Sequence, residues 1–401
     1  MKNLKVTLDQ EFGFTCDSAD LVKTVSKAEL VTSKLSSSTE FEKRHVIFAY
    51  DGNVYVLGYS SDTFIVLRVA NATADEDGAF GYTPKVLTSV IKNRNAMTFK
   101  LERNRLTFTA VKGRYTGSIE TVEVSRDQVP FMERNMQERS GGHLPISASM
   151  MSSVREGFNI VDLKDHYNKE KILCGVRVES GVLEMSSYDN YHMAYYKTKV
   201  DSDEEFILAL PVETFKLLDK FIAEEEEPSS KFHMTSKEFR VTSRSFIVVL
   251  PPVQVDDSFY DAVPGYIQGL KEPVAEVPFT QLAMRTANNM FDLFALANED
   301  TRLSLSIQNT GRVGLSLITE QGKISDTFKF KNVMCSVPEM MIQIDPRIFD
   351  DLFKKVSTRE VVKARFYEQK NRGCSSSFML SASTEKVKAY LIGTYHEERE
   401  K

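Results

Sequence analysis

The chain has 401 residues, 42% of them hydrophobic and 27% charged, which gives room for about three ordinary soluble domains, each with a core of its own. Its net charge of −5 excludes a bulk basic nucleic-acid binder, and no apolar run approaches a membrane span or a signal-peptide core. The four cysteines, Cys16, Cys174, Cys335 and Cys374, lie far apart with no C-x-x-C pair, as in reduced, buried thiols of a cytosolic protein.

The first helical signal runs over residues 18 to 33. At 100° per residue, Leu21, Val25 and Ala28 fall on one side, and Lys23, Lys27 and Lys34 on the other. Residues 46–50, then Asp51-Gly52-Asn53, then residues 54–57 read as a hairpin. Thr83-Pro84-Lys85 opens a second helix, with proline at home in the first turn and Thr83 as its N-cap. There Val86, Leu87, Val90 and Ile91 form the buried face, opposed by Lys85, Ser89 and Lys92. Residues 98–102 and 105–109 give another hairpin.

The pattern then returns. A weaker helix over residues 146–158 carries Arg155 on a stretch rich in serine and methionine. Leu210-Pro211-Val212 opens a helix with Phe215, Leu218 and Ile222 inward, and Lys216 and Lys220 outward. Residues 231–234 and 238–241 form its hairpin. Farther on, residues 279–295 place Met284, Ala287, Met290 and Phe291 inward, with Gln281, Arg285, Asn288 and Asn289 outward. Asp345-Pro346-Arg347 opens the last helix, capped by Asp345. Its core residues are Ile348, Phe349, Leu352 and Phe353, and its exposed ones Arg347, Lys354 and Lys355. Residues 363–366 pair with 377–380.

Turn glycines recur with the prolines, at Gly52, Gly181 and Gly311, about 130 residues apart. Whole domains are therefore repeated, over 1–139, 140–270 and 271–401, with net charges of +1, −8 and +2. Each reads as helix, hairpin and strand, twice over, which makes an α+β fold of internally duplicated domains. There is no G-x-x-x-x-G-K-[ST], H-E-x-x-H or G-x-S-x-G, and the six histidines lack metal-ligand spacing, so neither an enzyme nor a metal or cofactor is expected. A β-rich repeat scaffold or virion component is the alternative. It would need no lysine on the outer faces of corresponding helices.

In this order the segments resemble the bacterial-type β sliding clamp, the processivity factor of replicative DNA polymerase. Residues 183–194, LEMSSYDNYHMA, look like the family's strand and TDGHRLA segment; Phe206 to Pro211 looks like the strand entering its second helix. Residues 258–264, SFYDAVP, are similar to its G-x-F-P-D-Y…P closure. The resemblance spans the whole chain and implies three clamp domains, each with two inner helices and outer antiparallel sheets. It also implies a head-to-tail homodimeric ring around double-stranded DNA, opened by a clamp loader that uses the ATP, in the cytoplasm of a bacterial or phage-infected cell.

The helix cations Lys23, Lys27, Lys34, Lys85, Lys92, Arg155, Lys216, Lys220, Arg285, Arg347, Lys354 and Lys355 would then line the channel. Outer acidity such as residues 224–227 would discourage DNA outside it. A partner-peptide pocket, where the polymerase docks, would use Tyr191, His192, Met193, Val263, Pro264, Ile392 and Thr394. Here the sequence departs from the family: Gly-His-Arg becomes Asn190-Tyr191-His192, the proline after Phe259 becomes Tyr260, and the apolar tail becomes Gly393-Thr394-Tyr395-His396 with a charged extension. Such divergence suits a bacteriophage clamp matched to its own polymerase.

Overall fold

The computed structural model describes residues 4–8, 10–39, 43–137, 143–145, 148–164, 172–201, 205–223, 231–234, 238–251, 253–280, 301–319, 322–356, 361–368, 376–384 and 387–397. In chain order the first repeat runs β1 (Phe12–Asp17), α1 (Ser18–Lys34), β2 (Arg44–Tyr50), β3 (Asn53–Tyr59), β4 (Phe64–Arg68), β5 (Thr73–Ala74) and β6 (Gly78–Gly81). It continues with α2 (Pro84–Ile91), β7 (Ala96–Glu102), β8 (Arg105–Ala110), β9 (Thr116–Glu120) and α3 (Val129–Met136). Next come β10 (His143–Pro145), α4 (Ala148–Val161), β11 (Leu173–Glu179), β12 (Val182–Tyr188), β13 (His192–Lys199) and β14 (Phe206–Pro211). These lead to α5 (Val212–Ala223), β15 (Lys231–Met234), β16 (Phe239–Thr242), β17 (Phe246–Leu250) and α6 (Ser258–Gly269). The remainder is β18 (Ala275–Thr280), β19 (Arg302–Gln308), β20 (Arg312–Thr319), β21 (Gly322–Lys329), β22 (Met334–Cys335), β23 (Glu339–Ile344), α7 (Pro346–Val356), β24 (Val361–Tyr367), β25 (Ser376–Ser383) and β26 (Val387–Glu397).

Local chemistry sets many of these boundaries. Asp17 caps α1 by accepting the Ala19 amide at 2.8 Å, and Asp345 caps α7 by accepting that of Arg347 at 2.8 Å. Thr83 departs from expectation: its hydroxyl makes no cap bond, and the fixed φ of Pro84 starts α2 instead. The turns Asp51-Gly52 (φ 51° and 71°) and Ser180-Gly181 (φ 49° and 71°) take left-handed conformations at both positions, matching the twist of the hairpins they close. Val86, expected inside, is 47% exposed, because the short helix α2 buries only Pro84, Leu87 and Ile91. The helix expected over residues 279–295 begins in β18, and from residue 281 it lies outside the described residues, as does the acidic run 224–227.

The chain groups into two compact units, residues 1–148 with 217–252, and residues 149–216 with 253–401. The first holds a five-stranded sheet, β5-β1-β7-β8-β9, and an eight-stranded one, β10-β15-β16-β17-β4-β3-β2-β6. The eight-stranded sheet joins the first repeat to the second through antiparallel β4 and β17, from Phe64↔Val249 to Leu67↔Phe246. Ile247 and Val249 of β17 enter one core with Phe48, Tyr55, Leu57, Phe64 and Val66, roofed by Met132 and Met136 of α3. Each such aliphatic side chain withdrawn from water stabilises the join by about 1.5–3 kcal/mol.

The second unit is built on one branched sheet of thirteen strands among the described residues. Its spine is β26. One edge of β26 pairs with β13, from His192↔Gly393 to Thr198↔Val387, and its last residues pair with β23. The other edge pairs with β25.

A fully buried arginine reinforces the first join. Arg240 of β16, 1% exposed, donates from a guanidinium nitrogen to the Asn135 carbonyl near the end of α3 at 2.7 Å, and from Nε to Glu238 at 3.3 Å. Arg240→Met should cost the first unit about 3 kcal/mol in a denaturant titration, since it leaves a buried carbonyl and a carboxylate without their donor.

Candidate functional site

The helix cations fall into two groups. Lys23 and Lys34 of α1, Lys85 of α2, Lys92 just after it, Lys220 of α5 and Lys354 of α7 are exposed. Lys354 leans on Asp350, 2.7 Å away and one turn earlier. The others among the described residues are half-buried. Lys27 sits 5.4 Å over the Phe221 ring, a cation–π arrangement. Arg155 is half-buried on α4, and Arg285 lies outside the described residues. Arg347 folds back on Asp345 at 2.8 Å, and Lys216 is held by Glu213 at 2.9 Å and Asp162 at 3.0 Å.

Lys355 corrects the sequence reading most clearly. Expected on the outer face of α7, it is instead half-buried, and its ammonium donates to the carbonyls of Asn159 (3.4 Å) and Asp162, at the end of α4. Burial pushes its pKa down, against the pull of Asp351 and Asp162. A helical wheel assigns it to solvent because it contains only its own helix. The electronegative end of α4 is what holds it.

The expected pocket residues are partly brought together. Antiparallel pairing of β13 with β26 sets Met193 opposite Ile392 and His192 opposite Gly393, with Thr394 one residue on. Asp189 organises the turn before β13. Its carboxylate accepts the amides of Tyr191 (2.7 Å) and His192 (2.9 Å) and lies 2.6 Å from His192 Nδ1. His192 is thereby buried, while Tyr191 remains 37% exposed at the rim.

Ile392 forms a buried apolar cluster with Tyr367 and Met379, on which Met193, Tyr266, Ile267, Leu270 and Tyr390 pack, each half-exposed. Val263 is fully buried and outside that cluster, and Pro264 sits inside α6. The sequence reading therefore missed the part of the site that α6 supplies. The signal was present: Val263, Tyr266, Ile267 and Leu270 have the i, i+3, i+4, i+7 spacing of a helical stripe.

An ion ladder fastens α6 to the sheet. Arg177 of β11 donates to Glu184 of β12 at 2.6 Å and reaches Asp261 of α6 at 2.9 Å. Glu184 also accepts from Lys197 at 2.6 Å and from the Tyr195 hydroxyl at 2.8 Å. Burial pushes the Glu184 carboxyl up, but the bonds from Lys197, Arg177 and Tyr195 outweigh it and hold it down at about 2. At the far side of the cluster, the Tyr266 hydroxyl donates to Ser377 at 3.1 Å.

No family model matches the sequence, and no curated protein matches it. Solved structures do. The β subunit of DNA polymerase from Streptococcus pyogenes superposes with a TM-score of 0.76 at 14% identity, covering 97% of this chain and 100% of that one. The DNA polymerase sliding clamp from Bacillus subtilis also gives 0.76 at 14% identity, over 98% and 100%. The DNA polymerase III subunit beta from Pseudomonas aeruginosa gives 0.69 at 16%, over 97% and 100%. The chain has the α+β sliding-clamp fold over nearly its whole length, in a form far diverged in sequence.

Two outcomes follow from this geometry. Lys355→Met should lower stability by about 1–3 kcal/mol in a urea titration, because the α4 carbonyls lose their donor. Glu184, whose carboxyl is depressed, contributes stability that is present above about pH 4.5 and lost as pH falls toward 2. In Glu184→Gln, the loss of stability across that window, followed by denaturant titration at stepped pH, should be smaller than in the unsubstituted chain.

Proposed function

Starting from the sliding-clamp fold, we propose that two copies of this chain close head to tail into a ring around double-stranded DNA and tether a replicative DNA polymerase to its template. The observation that carries this reading is mutual coverage: the chain matches nearly the whole of several sliding clamps, and they match nearly the whole of it. A clamp performs no bond chemistry. Its task is topological: it must attract DNA without stopping on it.

The exposed Lys23, Lys34, Lys85, Lys92, Lys220 and Lys354 suit that task. Ammonium groups on flexible stems attract phosphate without reading bases, so no sequence becomes a resting place. Lys27, Arg155, Lys216 and Arg347, each held partly within the protein, would add to the field, and Arg285 keeps its sequence-based place in the channel. Lys355 leaves the DNA-contact set and becomes a fastening.

Ring closure calls for free strand edges, and β9 and β21 stand at the ends of their sheets among the described strands. β9 ends in Glu120, while β21 carries Lys323 and Lys329. A short peptide from the polymerase or the clamp loader would dock on the apolar cluster between β13, β26 and α6, with Tyr191 at its rim. The site of action would be the cytoplasm of a bacterial or phage-infected cell, and low identity to cellular clamps favours a phage origin.

Negative-stain electron microscopy with light scattering tests the ring directly. The expected result is a closed ring of six lobes at twice the 45.5 kDa chain mass; a monomer at high concentration, or a filament, would overturn the reading. Serine at Lys23, Lys85, Lys92 and Lys220 together, eight positions in a two-copy ring, should flatten the salt dependence of DNA association by up to about 7 log units per log unit of salt. Lys355→Met should leave that dependence unchanged.

A further inference from the structure

A cleft of about 410 Å³ in the first unit lies where β2 begins and β6 gives way to α2, a volume that suits a small ligand. To its lining α1 contributes Glu29, the start of β2 contributes Lys43, Arg44 and His45, and the link from β6 to α2 contributes Tyr82 and Thr83. Backbone bonds fix this lining. The Tyr82 amide donates to the His45 carbonyl at 3.0 Å, and Gly81 and Val122 exchange amide-to-carbonyl bonds of 3.1 and 2.8 Å, which brings Glu123 to the cleft. Glycine is required for that exchange, since a Cβ at Gly81 would lie 2.5 Å from the Val122 carbonyl oxygen. His45 Nε2 lies 3.0 Å from the Thr32 hydroxyl of α1, which sets its ring.

One polar group in this lining is left over by the fold. Tyr82 is 3% exposed, and its hydroxyl has no hydrogen-bond partner among the described residues. Burial pushes its pKa up, with the Glu29 carboxylate adding to the effect, so the hydroxyl stays protonated and able to donate. Buried polar groups in folded proteins are nearly always paired, so an unpartnered phenol in a cleft marks a place where a ligand can accept from it. The neighbouring Thr83 hydroxyl makes no cap bond to α2.

We propose that this cleft binds a sugar phosphate, with the phosphate on Lys43, Arg44 and the Thr83 hydroxyl and the sugar hydroxyls among Tyr82, Glu29 and Glu123. The mixture of charges carries the assignment. Two consecutive cations supply the field for a phosphate. The two carboxylates would repel a bare anion, but they accept from the hydroxyls of a sugar. Lys85, also in the lining, is counted with the helix cations and is not required here. All of these residues lie within the first unit, so the site needs neither ring nor DNA.

The test is isothermal titration calorimetry of the full chain with ribose phosphate, ribose, inorganic phosphate and adenosine monophosphate. Ribose phosphate should bind at least about 10-fold more tightly than ribose or inorganic phosphate. Arg44→Ser, at an exposed position, should weaken it by about 10- to 100-fold, the loss of one charge-assisted bond. Tyr82→Phe keeps the ring and removes only the hydroxyl; it should weaken binding by about 2- to 10-fold without lowering the melting temperature of the ligand-free chain. Tighter binding of adenosine monophosphate would support the site and identify a mononucleotide as the bearer of the sugar phosphate. Equal affinity for inorganic phosphate, or no heat from any probe, would overturn the proposal. So would an unchanged affinity in Tyr82→Phe with a lowered melting temperature, or a loss of binding in Lys23→Ser with Lys220→Ser. None of these results bears on ring formation, which microscopy decides separately.

Discussion

Backbone hydrogen bonding across repeat boundaries is the constraint on which the structure depends. A strand at the end of a sheet presents a row of unpaired amides and carbonyls, and leaving them bare invites association or costs stability. This chain covers one such edge in each of the first two repeats with a strand from the next. β4 receives β17, and β13 receives β26. The cores then form across the boundary, as Ile247 and Val249 do when they enter the cluster around Phe48 and Phe64.

A second device accompanies each ladder. Arg240, from the second repeat, donates to a carbonyl near the end of α3 in the first, and Lys355, from the third, donates to carbonyls at the end of α4 in the second. In both cases a cation, fully buried at Arg240 and half-buried at Lys355, meets the electronegative end of a helix contributed by the preceding repeat. The ladder aligns strands, while the cation ties a helix to that alignment. Lys355 is withdrawn from the solvent face by this means, whereas Lys216 is held by the carboxylates of Glu213 and Asp162.

Features closed within a few residues were legible in the sequence. The turns at Gly52 and Gly181, the helix start at Pro84 and the cap at Asp345 each depend on neighbours in the chain, and the repeat made them visible three times. The helices α3 and α6 were not read, because Pro130, Pro264, Gly265 and Gly269 look like breakers, although Tyr266, Ile267 and Leu270 carry helical spacing. The exposure of Lys355 was misjudged because its partners are distant in sequence.

The repeat and the compact unit are out of phase, and this bears on how the protein is made. A ribosome delivers the first 148 residues long before residues 217–252, which complete the same unit. Throughout that interval β4, with its sequence Phe-Ile-Val-Leu-Arg, waits with one edge open for β17. β13 waits longer still, for β26. Folding therefore cannot finish repeat by repeat behind the ribosome; the nascent protein carries apolar, half-paired strands until residues 387–397 emerge, and chaperone capacity during synthesis becomes part of what its fold demands.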